Sequence, residues 1–516
     1  MTIHTFGNLS YITALCLATA FSSHAQTFTT EFTFTEAQGY IPISLTQGVD
    51  GNLYGTSFAG GKNGQNLSMP GDGTVFSLSL DGTTQTVLYN FCSASKCADG
   101  LYPNAGLILA PNQAFYGTTE SGGSGAYCNA NPDNGCGSVF KMTADGTLTT
   151  LYSFCSYAAC SDGEVPESPL VLAFNGYFYG TNYFGGLPGA CGSALGCGTI
   201  FEITPSGQFL RVYIFCRSYL CPDGSAPQVP LVQGNDGNLY GVSGAGLTAT
   251  GTFFSLNSSN LLTVLHEFSG TNDGMNPTGL IQASDGNFYG TAAFGGSGAY
   301  CGSQLCGTIF KVTPTGEFTT LYNFCSKPNC VDGSGPYAGL VQGTDGNLYG
   351  TTIQGGTHYN GKACAGTCGV IFKISPEGQF STLYNFCSQA NCADGVAAGA
   401  ITQATNGNFY GTTQAGGVSG GCRGIGCGTI FSLSMGLPPF VQSNPWFGHV
   451  HQPVNILGNN LTGAATVTFN GVAAKFKVIS PSYIQAEVPV GATTGSIQVT
   501  TPTATLSSNG AFQVLP

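Results

Sequence analysis

The chain has 516 residues, 42% hydrophobic and 12% aromatic, enough to furnish a packed core despite 79 glycines and 25 prolines. Only 7% of residues are charged, and 24 acidic against 12 basic residues leave a net charge of −12. That balance argues against a nucleic-acid surface or an anionic-membrane surface, both of which need basic side chains.

From the N-terminus, Tyr11 to Phe21 forms an apolar run, and Ser23-His24-Ala25 offers a small-residue cleavage site before Gln26. Residues 1–25 therefore read as a signal peptide, although its start carries His4 and no Lys or Arg. Thr13-Ala14-Leu15 before Cys16 lacks the small residue expected of a lipoprotein, so a soluble exported protein is expected. No other apolar run is long enough to predict a transmembrane helix.

Beyond the signal, one unit returns seven times. DGNLYGT at Asp50 recurs as NQAFYGT, NGYFYGT, DGNLYGV, DGNFYGT, DGNLYGT and NGNFYGT, with tyrosines at 54, 116, 179, 240, 289, 349 and 410. The gaps between them are 62, 63, 61, 49, 60 and 61 residues. Each unit predicts four short strands. In the sixth, GLVQGT precedes an Asp345-Gly346 turn, NLYGTT leads to Gly355-Gly356, GVIFKIS ends at a Pro-Glu-Gly turn, and FSTLYNF closes the unit. Glycine supplies the positive φ such turns demand. The third strand carries adjacent apolar residues (Ile309-Phe310, Ile371-Phe372, Ile430-Phe431), as expected of a strand buried on both faces. The glycine after each tyrosine suits a close approach of strands or sheets.

Sequential four-stranded units at this period predict an all-β chain with a seven-bladed β-propeller. The seventh unit ends at GTIFSLS (428–434) without a fourth strand, while TTEFTF (29–34) resembles TTLYNF (319–324). The N-terminal strand is thus expected to complete the last blade and close the ring. The tail alternates with period two (ATVTFNG, FKVIS, IQAEVPV, SIQVTT), which predicts an immunoglobulin-like β-sandwich. Trp446, His449 and His451 stand near its start. The expected boundaries are 26–436 for the propeller and 437–516 for the sandwich.

The DGN[LF]YGT and CGT[IV]FK[IV] motifs, over about Thr29 to Ser434, resemble the GloVer tandem repeats of bacterial exported proteins, sometimes called choice-of-anchor proteins. In the tail, NILGNNLTGAATVTFNGVAAKF and VPVGATTGSIQVTTP resemble an IPT/TIG domain. The resemblance implies an exported or surface-associated protein and brings no catalytic residues with it. The strand order is also similar, more loosely, to NHL-type propellers.

Twenty cysteines remain after residue 25, in ten close doublets. Five follow the fourth strand: Cys92/Cys97, Cys155/Cys160, Cys216/Cys221, Cys325/Cys330 and Cys387/Cys392. Five lie between the second and third strands: Cys128/Cys136, Cys191/Cys197, Cys301/Cys306, Cys364/Cys368 and Cys422/Cys427. Metal knuckles, redox couples and structural staples all use such spacings. Doublets appear or vanish whole from unit to unit, which favours local disulfides in an oxidising compartment. Both loop classes fall at one end of the strands, the other end having only tight turns. The stapled end is therefore the expected binding face.

Asp99, Asp162, Asp223, Asp273, Asp332 and Asp394 recur before glycine in the stapled connection, with Gln38 in the N-terminal counterpart. They are candidates for a ligand-binding ring, or each caps its own turn. Calcium is a candidate ion, although no EF-hand-like loop supports it, and no cofactor is expected. The repeated tyrosines suit core packing, while Tyr127, Phe184, Tyr300 and Tyr359 are candidates for stacking on a sugar. His266 replaces the usual tyrosine of a fourth strand and reads as structural. No nucleophile elbow, zinc-protease motif or P-loop occurs. The reading is an exported, monomeric, non-enzymatic binding or adhesion protein for a carbohydrate or protein, without a nucleic-acid partner. The alternative is a propeller lyase or glycoside-cleaving enzyme using channel-mouth carboxylates.

Overall fold

The computed structural model describes residues 26–63, 71–128, 136–189, 191, 193, 195–218, 221–244, 250–301, 306–358, 368–417, 422 and 425–516. The expected signal peptide, Cys364 and Tyr359 lie outside the described residues. The chain is all-β apart from four single 3-10 turns, such as Pro328–Cys330, among the described residues.

Each repeat begins with a turn that builds itself. The Asp50 carboxylate accepts from the Asn52 N–H at 3.1 Å, the Asn52 amide at 2.7 Å and the Tyr54 hydroxyl at 2.9 Å. Asp236, Asp285 and Asp345 repeat the arrangement with Tyr240, Tyr289 and Tyr349. Where asparagine stands instead, its amide donates to the tyrosine, as Asn112 does to Tyr116 at 2.9 Å. One polar side chain thus closes the turn and satisfies a phenol whose ring is buried.

Seven such units fold into seven four-stranded antiparallel sheets. The first comprises Tyr40–Gln47, Leu53–Ala59, Thr74–Leu78 and Gln85–Asn90. The seventh has Val396–Gln403, Phe409–Ala415 and Thr429–Ser434, with its fourth position filled by Thr27–Thr33. That N-terminal strand pairs antiparallel from Thr27↔Ser434 to Thr33↔Thr429, and Phe28 stacks on Tyr384 of the sixth sheet at 3.7 Å. The expected closing strand is present.

Consecutive sheets pack face to face through aromatic rings. Tyr54 stacks on Phe115 at 4.2 Å, Tyr240 packs on Phe288 at 4.3 Å and Tyr349 on Phe409 at 4.2 Å. The glycine after each tyrosine makes room within its own sheet: a Cβ on Gly55 would lie 2.6 Å from the ring of Phe76, its partner on the neighbouring strand. Polar bonds tie the inner strands together as well. Gln47, Gln233, Gln282, Gln342 and Gln403 each accept a backbone N–H from the preceding sheet (Thr405, Phe174, Asn235, Ser284 and Thr344). The bond from Thr405 of the seventh sheet to Gln47 of the first, 2.9 Å, closes the circuit.

The C-terminal region is a sandwich of two four-stranded sheets around Val441, Val454, Ile456, Val467, Phe469, Ile484, Val499 and Phe512. It is bonded to the repeats along one face. The Asn444 amide donates to Leu109 O at 2.9 Å, Asn455 to Pro111 O at 2.8 Å, and Asn509 to Gln342 O at 2.8 Å. Ser482 donates to Val49 O at 2.8 Å, and the Phe440 N–H to Thr405 O at 3.0 Å. All these acceptors lie at the tight-turn ends of inner strands. The sandwich therefore covers the middle of the tight-turn face.

Candidate binding face

The opposite face is assembled from the two cysteine-bearing loop classes. Nine doublets are disulfides closed within their own loop. After the fourth strands these are Cys92–Cys97, Cys155–Cys160, Cys216–Cys221, Cys325–Cys330 and Cys387–Cys392. Between the second and third strands they are Cys128–Cys136, Cys191–Cys197, Cys301–Cys306 and Cys422–Cys427. Cys368 is also disulfide-bonded, its expected partner Cys364 being outside the described residues. The loops interlock across sheets: Gly123 N–H donates to Cys97 O, Gly186 to Cys160 O, Gly356 to Cys330 O and Gly417 to Cys392 O. Both classes thus share one end of the ring, as strand alternation demands.

Several of the staples lie beneath that face rather than on it. Cys221 is 0% exposed, as is Cys216, so neither can touch a ligand. Both pack with Phe215, Leu231 and Phe254 in the core between the third and fourth sheets. The physical reason is that a disulfide sulfur is a small apolar group, more stable among rings than in water. Four loops of this class close on a 3-10 turn ending at the second cysteine, such as Ala390–Cys392, whereas residues 219–220 before Cys221 lie outside the described residues. The polypeptide between the cysteines, rather than the sulfurs, is what the face presents.

These loops also brace the start of each inner strand. Ile41, Tyr102, Val165, Ala226, Asn276 and Ala397 adopt φ between 50° and 59°, with Gly335 at 62° in the same place. A left-handed conformation is costly for β-branched Ile41 and Val165. It is held where Val165, Ala226, Gly335 and Ala397 donate to the carbonyls of Cys136, Cys197, Cys306 and Cys368. The second cysteine of one loop therefore positions the chain as it enters the next sheet's first strand.

The six recurring aspartates are buried at the base of the stapled connections. Asp332 accepts from Tyr322 Oη at 2.8 Å, Ser326 N at 3.0 Å and Ser326 Oγ at 2.8 Å. Asp99, Asp162, Asp223 and Asp394 accept likewise from Tyr89, Tyr152, Tyr213 and Tyr384. Asp273 pairs instead with His266 Nε2 at 3.3 Å and accepts from Ser269 N at 2.8 Å. Burial pushes the Tyr89 hydroxyl up to about 12, and that of Tyr152 higher still, with the neighbouring aspartates adding to both shifts. Burial lowers His266, so its ring is neutral near pH 7. Gln38 in the N-terminal counterpart accepts from Thr35 Oγ1 at 2.8 Å.

Exposed aromatics decorate the same face. Tyr127 and Tyr300 are half exposed, and their N–H groups are pinned to Cys155 O and Cys325 O. Tyr157, 60% exposed in the Cys155–Cys160 loop, adds a ring next to Tyr127's anchor. Tyr337 at the start of the sixth inner strand is exposed too. Phe184 is partly buried, lying edge-on to Tyr183 at 4.5 Å. Sequence periodicity does not mark Tyr157 or Tyr337, because neither recurs from unit to unit.

Glu120 and Glu167 meet where the second sheet meets the third, and Glu164 lies beside Asp162. Burial pushes Glu167 up to about 7, with the Glu120 carboxylate adding to the shift. Burial, with Asp162 nearby, does the same to Glu164. Glu120 is also raised by burial, although the Asn104 amide donates to it at 3.2 Å. Only the second and third units carry these residues, so no repeat signal could expose them. Glu164 lies within 4.8 Å of the sulfurs of Cys136, Cys155 and Cys160. All three are disulfide-bonded, so this group offers no thiolate to a metal.

Two family matches bear on this architecture. The Gloeobacter/Verrucomicrobia repeat matches residues 16–191 and 189–431. The chain belongs to that repeat family. An IPT/TIG domain matches residues 439–514, the sandwich described above. A comparison with curated proteins returns no match. Among solved structures, a gluconolactonase from Xanthomonas campestris is similar at 14% identity and TM-score 0.37, over 80% of this chain and 90% of that one. An oligogalacturonate lyase from Vibrio parahaemolyticus is similar at 10% identity and TM-score 0.44, over 79% and 93%. TolB from Acinetobacter baumannii follows at 11% identity and TM-score 0.35, over 67% and 64%. At such identities and scores, none of these resemblances bears on what this repeat protein does. Outside the ring, the two histidines of the IPT/TIG domain have local partners: His451 meets Glu487 at 2.8 Å and His449 meets Pro516 O at 2.8 Å.

Proposed function

We propose that the chain is an exported, non-enzymatic binding protein. Its repeats, 26–436, act as a seven-bladed β-propeller, and the region from 437 serves as a cap on one face. The stapled loops present a carbohydrate or protein ligand site, and the recurring aspartates serve that site by holding the loops in shape. The observation that carries this reading is the asymmetry of the two ends. The IPT/TIG domain sits on the tight-turn end, while the other end combines rigid loops with exposed Tyr127, Tyr157, Tyr300 and Tyr337. Flat rings on a fixed scaffold bind with little loss of conformational entropy.

A glycan array probed with the mature chain, with and without calcium, tests the reading. Tyr127→Ala with Tyr157→Ala should abolish binding to at least one glycan on the array, while Glu377→Ala, exposed on a tight turn, should leave every signal intact. Absence of binding to any glycan or envelope protein would count against the proposal, as would loss of binding in the Glu377 variant alone.

The Glu120–Glu167 neighbourhood favours one second reading, cleavage of a glycosidic bond with a protonated glutamate as acid. Release of reducing ends or unsaturated sugars from polysaccharide by the wild type, lost in Glu167→Gln, would support it. No release from any polysaccharide tried would leave the binding role alone standing.

A further inference from the structure

Two cavities adjoin beneath the IPT/TIG domain, of about 340 and 420 Å³, within the range of small-ligand sites. Both are lined by Thr402, Gln403, Gln442, Ser443 and Trp446, and so form one chamber at the covered end of the channel. Trp446 is the only tryptophan of the chain. It packs obliquely on Phe174 at 5.3 Å and edge-on to Phe447 at 5.7 Å, contacts that fix the indole while it still lines both cavities.

The polar lining is distinctive in two respects. It contains no Asp, Glu, Lys, Arg or His. And the side chains of Thr402, Gln442 and Ser443, with the indole N–H, make no hydrogen bond among the described residues. Their counterpart Thr46, at the same place in the first inner strand, donates to Leu107 O at 2.6 Å. Gln403 is already spent on Thr344 N and Gly407 O. Exposed Gln442 and Gly510 stand at the mouth. A rigid aromatic plate, a few unspent neutral donors and acceptors, and no charge form a particular combination. It suits a ligand that has an apolar face, several hydroxyls and no ionised group.

We propose that this chamber binds a neutral saccharide, one sugar ring stacking on Trp446 while its hydroxyls bond Thr402, Gln442 and Ser443. The site is separate from the stapled face and stands or falls independently of it. The IPT/TIG domain supplies three of the four contact residues and the propeller the fourth, so the ligand bridges the two.

The single tryptophan reports its own occupancy. The mature full chain is titrated with cellobiose, maltose, xylobiose and chitobiose while indole emission is followed, with digalacturonate as the charged control. At least one neutral disaccharide should shift the emission saturably, and digalacturonate should not. By calorimetry, Trp446→Phe, which keeps an aromatic ring against Phe174, should weaken that sugar about tenfold or more. Gln442→Ala, at an exposed position, should weaken it about threefold or more without altering thermal unfolding. Tyr127→Ala with Tyr157→Ala should leave the emission shift unchanged, which separates this site from the stapled face. Three results would each overturn the proposal: no neutral disaccharide shifting the emission up to about 10 mM, digalacturonate binding equally well, or full affinity in both chamber variants.

Discussion

Asp332→Ala asks what the recurring aspartate does. The carboxylate is buried and accepts four bonds: Tyr322 Oη at 2.8 Å, Ser326 N at 3.0 Å, Ser326 Oγ at 2.8 Å and Lys327 N at 3.4 Å. Removing it strands donors that burial keeps from water. Two of the four are discounted, because Ser326 Oγ and Tyr322 Oη already lie 2.8 Å apart and can pair with each other, and because the Lys327 contact is long. The two remaining bonds to a charged acceptor are worth about 1.5–3 kcal/mol each, which gives a local cost of about 3–6 kcal/mol. At 1.4 kcal/mol per tenfold, amides in Cys325 to Gly333 should exchange at least about 100-fold faster, with those of the IPT/TIG domain unchanged. Hydrogen exchange on the intact, oxidised chain measures this segment by segment. Protection unchanged within about threefold, together with loss of ligand binding, would refute the structural role and make Asp332 a ligand contact instead.

Other expectations follow from the same geometry. Cys325→Ser with Cys330→Ser should keep the fold, since the unit around Tyr240 lacks both doublets, yet loosen its loop by about 2 kcal/mol, read as faster proteolysis there. Deleting residues 26–34 should expose the Thr429–Ser434 edge and leave Tyr384 without Phe28, so size-exclusion chromatography should show association of the truncated chain. Glu164 and Glu167 titrate near 7 in the folded chain against 4.5 ordinarily, so the folded state binds the extra protons between those values. Stability should therefore fall as pH rises through that window. Discounted for partial exposure, the loss is about 1 kcal/mol per residue, and Glu167→Gln should flatten the slope seen by denaturant titration.

Much of the fold is legible in particular residues. Asp50-Gly51 and its copies encode the turn, the adjacent apolar pairs encode the doubly buried third strand, and the missing fourth strand of the seventh unit points to the strand at Thr27–Thr33. Cysteine doublets that come and go whole encode their own pairing, because a five-residue loop needs no distant partner. Their depth is another matter: Cys216 and Cys221 are buried by rings of the next sheet, which spacing alone does not reveal. The recurring glutamine of VQG, IQA and TQA was equally visible as a pattern, but its job was not. Accepting an N–H from the preceding sheet is a contact across 47–59 residues or, at Gln47, across 358.

The candidate sites were far less legible. Glu120 and Glu167, 47 residues apart in sequence, meet only because consecutive sheets pack face to face. Trp446 and Thr402 share a chamber only because the IPT/TIG domain folds back onto the ring. By itself, the sequence determined what repeats: strand order, turns, staples and the closing strand, all of them local patterns imposed by backbone geometry. Only the tertiary structure decided which face is covered and which side chains converge, because those depend on surfaces built from residues that do not repeat.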